Sequence, residues 1–204
     1  MTEHEKMFAG KMYDPFQEGM TEERTKAHKL CRLYNKTDET MPKKRKKLLD
    51  KLMPDRQEGV YLQGPIYFDF GTNISMGKNS YANFNFVVLD EGKVKIGDNV
   101  FIGPNVTLAT AIHPLCWEDR NTGKEYTGAI TIEDNCWIAA GVTVCGGVTI
   151  GAGSVIGAGA VVTKDIPAGS LAAGVPCRVL RPITEADRLK NHPELFANAI
   201  KAGE

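Results

Sequence analysis

ITIEDNCWIAAGVTVCGGVTIGAGSVIGAGAVVT, residues Ile130–Thr163, decides the fold. Ile132, Ile138, Val144, Ile150, Ile156 and Val162 recur every six residues. Small residues follow most of them: Ala139, Cys145, Gly151, Gly157 and Thr163. Two positions before them stand Val142, Val148, Ser154 and Ala160, again small or aliphatic. A helix of 3.6 residues per turn does not hold a strict period of six, and a lone strand of period two does not explain the glycines. A coil with three short flat faces explains both. Each turn stacks on the last and buries its apolar spokes inward, as in hexapeptide β-helix repeats.

Upstream, the pattern begins at Ile74, Met76-Gly77, Ala82-Asn83 and Val88. It slips by two residues at Val94-Lys95-Ile96, then holds through Ile102-Gly103 and Leu108. From Leu108 to Ile132 the spacing is again a multiple of six, but His113-Pro114 through Gly128 is polar and lacks spokes. This segment, about 110–129, is expected to leave the coil as a loop, and long loops in compact repeats carry function. The coil is expected over 56–182, entered through the alternation Val60, Leu62, Ile66, Phe68, Phe70.

Residues 1–55 read as a helical segment. Thr21 is a candidate N-cap before Glu22 and Glu23, and Ala27, Leu30, Cys31 and Tyr34 form one apolar face that stops near Asn35. A second helix opens at Pro42, with Leu48, Leu49 and Leu52 inward and the run Lys43–Lys47 on a solvated face. Residues 183–204 read as a polar helical tail, with Thr184 as cap, covering the open end of the coil.

The chain has 204 residues and zero formal net charge, so nothing draws it to nucleic acid or anionic lipid. No apolar run suits a membrane span or a signal peptide. Five cysteines without CxxC spacing point to reduced thiols and a cytoplasmic protein. Only His113 of the four histidines lies in the coil region, so a histidine-based metal site is not expected. An imidazole at the coil–loop junction suits a general base at neutral pH, with a surface role as the competing reading. Glu118, Asp119, Glu125 or a backbone carbonyl would orient it.

Four long motifs occur in order: YFDFGTNISMGKNSYANFN, IGDNVFIGPNVTLATAIHP, ITIEDNCWIAAGVTV and VIGAGAVVTKDIPAGSLAAGVPCRV. With AGKMYDP and HKLCRLYN near the start, the chain resembles the galactoside and maltose O-acetyltransferases. The resemblance implies an all-β, left-handed parallel β-helix, a homotrimer, acetyl-CoA as donor and a sugar-like acceptor. It implies that His113 deprotonates the acceptor hydroxyl and that Asn83 helps hold the tetrahedral oxyanion. Asp69, and Asp90 or Glu91, fall at acceptor contacts, and Asp14 lies one position from another. Trp137, Ala140, Ala158, Thr163, Lys164, Arg178 and Arg181 match coenzyme contacts. The chemistry implied is direct transfer, needing neither a metal nor an acyl-enzyme at Cys145. Two other readings are a hexapeptide acetyltransferase acting on an antibiotic or other xenobiotic, and a non-enzymatic solenoid scaffold.

Overall fold

The six-residue spokes turn inward at every corner of a parallel β-solenoid. The computed structural model describes residues 1–17 and 19–195. Ile132, Ile138, Val144, Ile150, Ile156 and Val162 are all fully enclosed. Val142, Val148, Ser154 and Ala160 supply a second buried set.

The first face carries strands Tyr61–Leu62, Tyr81–Ala82, Phe101–Ile102, Trp137–Ile138, Val155–Ile156 and Ser170–Ala173. The second carries Ile66–Phe68, Phe86–Leu89, Thr107–Ala109, Thr143–Cys145 and Val161–Val162. The third carries Ile74–Met76, Val94–Ile96, Ile130–Ile132 and Thr149–Ile150. Close stacking explains the small residues after the spokes. A Cβ on Gly151 would lie 2.4 Å from the Ala168 amide nitrogen of the next coil.

Coil length differs along the stack. Tyr61 pairs with Tyr81 and Tyr81 with Phe101, twenty residues apart, whereas Trp137 pairs with Val155, eighteen apart. The two extra residues always lie where the second face turns into the third. Val88 stacks on Leu108 and Ile96 on Ile132, which leaves eight residues from Val88 to Ile96 but six from Val144 to Ile150. The excursion leaves the coil at this same corner. It is a hairpin, Ala111–Ile112 antiparallel to Tyr126–Thr127, tipped by a short helix Trp117–Arg120.

Three helices precede the coil: α1 (Glu3–Phe8), α2 (Met20–Tyr34) and α3 (Pro42–Leu52). α2 starts one residue before Thr21, on Gly19, and ends at Asn35. α3 buries Leu49 and Leu52. The basic run is not wholly solvated, because Arg45 is buried. It donates to the Tyr34 hydroxyl at 2.8 Å and to the Leu62 and Gln63 carbonyls at 2.5 and 2.8 Å, between the Tyr34 and Tyr61 rings. A charge so supplied with acceptors closes the first coil.

At the other end the last stretch of the expected coil turns back as an antiparallel strand, Arg178–Pro182, and the described part of the expected helical tail, 183–195, forms three 3₁₀ turns. The strand occupies the sheet edge that the helix was expected to cover. Thr184 caps the first turn, as its sequence suggests. The rest of the expected tail, 196–204, lies outside the described residues. Among those described, no helix is long and apolar enough to cross a membrane.

Candidate active site

His113 stands at the base of the hairpin, directly after Ala111–Ile112, and its imidazole is half exposed. Its Nε2 lies 3.4 Å from Oε2 of Glu125, a buried carboxylate on the returning arm. Of the orienting partners open on sequence grounds, Glu125 is the one in reach. Cys116 occupies Glu118 instead. Glu125 is itself held by the Tyr13 hydroxyl, which donates to its Oε1. The backbones of Tyr13 and Glu125 pair as well, with amide-to-carbonyl distances of 2.9 and 3.2 Å. Burial and the Glu125 bond push the Tyr13 phenol upward, so it remains a donor. The N-terminal segment thus buttresses the imidazole through one carboxylate.

Asp69, Asp90 and Glu91 occupy the long corners beneath the hairpin. Asp90 is fully enclosed and accepts the Phe70 and Gly71 N–H groups at 2.9 and 2.6 Å. Burial nevertheless pushes its carboxyl up to about 6. Both oxygens serve the corner, so Asp90 has none to offer a ligand and Glu91 is the better placed of the two. Glu91 is 6% exposed, and its Oε2 is buried without a hydrogen-bond partner. Burial, then a hydrogen bond to Asp69 and the Asp69 charge, push the Glu91 carboxyl well above the usual carboxylate range. Asp14 folds back on its own turn, where its Oδ1 accepts the Phe16 N–H at 2.9 Å.

Asn83, Ala140 and Ala158 gather at the opposite edge of the second face. Asn83 follows Tyr81–Ala82 and its Oδ1 accepts the Phe84 N–H at 2.8 Å, which leaves the amide NH₂ free to donate. Ala140 and Ala158 stand one coil apart, joined by the Gly159 N–H to the Ala140 carbonyl at 2.8 Å, and both are exposed. Trp137 is 53% exposed, stacked on Phe101 in the first face. Thr163 and Lys164 return to the long-corner side, after Val161–Val162. Arg178 and Arg181 lie on the terminal strand. Arg181 already holds Asp187 through both terminal nitrogens at 2.6 and 2.8 Å. That guanidinium keeps Asp187 well below the usual carboxylate range.

The chain therefore brings His113, Glu125, Tyr13, Asp69 and Glu91 to one edge, and Asn83, Trp137, Ala140 and Ala158 to the other. It does not bring His113 and Asn83 together. A four-residue strand, roughly 13 Å, separates the two corners. Neither Tyr13 nor His28, which lies 3.0 Å from Asp69, is singled out by sequence spacing.

Comparison with known proteins places this geometry. Residues 6–55 match the maltose acetyltransferase hexapeptide capping motif, residues 129–164 the bacterial transferase hexapeptide with six repeats, and residues 93–112 a hexapeptide repeat of succinyl-transferase. The chain is 44% identical over 184 residues to galactoside O-acetyltransferase of Escherichia coli, covering 90% of this chain and 91% of that one. It belongs to the galactoside and maltose O-acetyltransferase family.

A solved galactoside acetyltransferase in complex with coenzyme A superposes with a TM-score of 0.89 at 44% identity, over 92% of this chain and 94% of that one. A hexapeptide-repeat acetyltransferase of Vibrio cholerae, solved with acetyl coenzyme A, gives 0.84 at 34% identity, over 91% and 100%. The two edges differ in chemistry. One holds a buttressed imidazole and carboxyl groups, and the other an exposed indole, a free amide donor and a smooth alanine-lined corner.

Proposed function

We propose that the protein transfers the acetyl group of acetyl-CoA to a hydroxyl of a sugar, with His113 as general base. The observation that carries this reading is the Tyr13–Glu125–His113 chain. A buried carboxylate beside the imidazole stabilises the cation that forms when it takes a proton. Coenzyme-bound relatives and the match in fold support acetyl-CoA as donor.

The step balances without an acyl-enzyme. The acceptor oxygen attacks the thioester carbonyl as its proton passes to His113. The Asn83 amide donates to the oxyanion. Collapse breaks the C–S bond, and the sulfur leaves as thiol with the proton returned from the imidazolium. Asp69 and Glu91 present one accepting and one donating carboxyl to the acceptor's hydroxyls. Trp137, Ala140 and Ala158 line the pantetheine path, and Thr163, Lys164 and Arg178 take the polar end of the coenzyme. Arg181 joins them only through donors that Asp187 does not use.

Asn83 reaches His113 only if a second copy of the chain supplies it. We therefore read the active unit as a homotrimer with the site between subunits. The outward first face supports this, since Tyr61, Phe101 and Trp137 are exposed there in one stacked ladder. A panel of galactosides, glucose, maltose and chloramphenicol with acetyl-CoA, followed by thiol release, tests the acceptor. Turnover is expected with the sugars, and a response to chloramphenicol alone would replace the sugar by a xenobiotic. His113→Ala should lower the rate by about a hundredfold or more. Near-normal turnover in that variant would remove the general base.

A further inference from the structure

We propose that His28 is a positioning residue of the acceptor site. Its Nε2 fixes the Asp69 carboxylate, and the fixed carboxylate makes Glu91 the hydrogen-bond donor of the pair. The inference rests on the sugar-acceptor reading above and names a residue that this reading does not require.

Three observations carry it. First, α2 is bolted to the second face. The Asn35 side chain donates to the Ile66 carbonyl at 2.9 Å and accepts the Ile66 N–H at 2.8 Å, while the Cys31 thiol is buried against the Phe68 carbonyl. His28 lies one turn before Cys31 on this anchored helix, so the helix delivers its ring to a set place. Second, His28 Nε2 stands 3.0 Å from Asp69 Oδ1. The two share the wall of a cavity of about 360 Å³ with Arg32, Tyr67, Val87 and Leu89, beside the corner that carries Glu91. Third, Glu91 Oε2 is buried and unpartnered. An orphan carboxyl oxygen enclosed next to a second carboxyl is costly unless one of the two keeps its proton and a ligand meets the free position.

The imidazole sets the two carboxyls apart. Asp69 has a ring N–H to satisfy it and Glu91 has none. The other charged groups around the pair do not reverse this. Arg32 lines the same cavity as Asp69. Arg24 of α2 is spent on the Pro15 carbonyl and packs over the Phe16 and Phe70 rings. Asp90 is closed off by its two backbone N–H groups, and Glu125 is held by Tyr13 and His113. An acceptor with neighbouring hydroxyls then meets an acceptor atom on Asp69 and a donor on Glu91. Without His28 the Asp69 carboxyl loses the contact that fixes its direction, and the pattern shown to the sugar is lost.

The His28 side chain is 45% exposed, so its pair with Asp69 adds little to folding. The variant therefore reports on recognition. Steady-state kinetics on wild type, His28→Ala, His28→Gln, Asp69→Asn and the double variant test the coupling. The acceptor is the sugar turned over fastest in the panel.

His28→Ala should raise the acceptor KM about tenfold, with kcat and the acetyl-CoA KM within about twofold. His28→Gln, which keeps an N–H donor, should recover most of the loss. In the Asp69→Asn background His28→Ala should change nothing. An unchanged acceptor KM in His28→Ala, or the same loss persisting with Asp69 replaced, overturns the inference while the enzymatic reading stands. A wild-type protein that releases no thiol with any sugar defeats that reading and this inference with it.

Discussion

Burial and Asp69 disfavour the charged form of Glu91, so the folded protein holds its proton more tightly than the unfolded chain does. As pH rises above the ordinary value of 4.5 the folded state binds more protons than the unfolded chain, so stability falls with rising pH. Asp90, raised from 3.8 to about 6, adds to the decline at its acid end. Urea unfolding followed from pH 5 to pH 9 should show the fall, and Glu91→Gln, which mimics the protonated acid, should flatten it. Equal slopes in the two proteins would mean that Glu91 is ionised when folded. On the acceptor role proposed above, the same proton is the one Glu91 offers to a sugar hydroxyl, which gives this pH slope and acceptor recognition one origin.

At the scale of the element, the enclosed spokes hold the coils. Ile138→Ala removes a fully buried side chain between Ile102 and Ile156. It should cost about 2–5 kcal/mol, against less than about 1 kcal/mol for Thr143→Ala on the outward side of the second face. Chemical denaturation checks both, and similar losses would contradict the inward spoke.

The coil was legible from Ile130–Thr163 because its period is enforced by stacking, which acts on every sixth residue alike. The excursion was legible at His113–Gly128 for the converse reason, since a hairpin outside the coil needs no spokes. Arg45 was not. A basic run looks solvated until the Leu62 and Gln63 carbonyls of the first coil are brought to it. Nor was His28, because 41 residues separate it from Asp69 and only the docking of α2 brings them together. Glu125 was one of several carboxylates of the hairpin, and the Tyr13 contact from the N-terminus singles it out. At the C-terminal end, capping of Thr184 was readable locally. The strand Arg178–Pro182 was not, because its partner Ser170–Ala173 had to present a free edge first.

Across the whole molecule, His113 and Asn83 lie on opposite edges of one face, and the proposed shared site makes a subunit-mixing experiment decisive. His113→Ala and Asn83→Ala proteins should each be nearly inactive alone. Refolded together at equal amounts, they should regain about a quarter of wild-type activity, since random assortment leaves that share of interfaces with both residues intact. No recovery would mean that one subunit supplies both residues by a route the single chain does not display.

The coils of twenty residues and the hairpin insert their surplus at one corner only, while the opposite corner keeps its strict count. The molecule thus has a tolerant margin and an intolerant one. Lengthening the chain at the tolerant margin leaves every strand pair in register and remodels only the carboxyl-bearing corners. Insertion or deletion there reshapes the side that the proposal gives to the acceptor, whereas the corner lined by Ala140 and Ala158 keeps a fixed gauge.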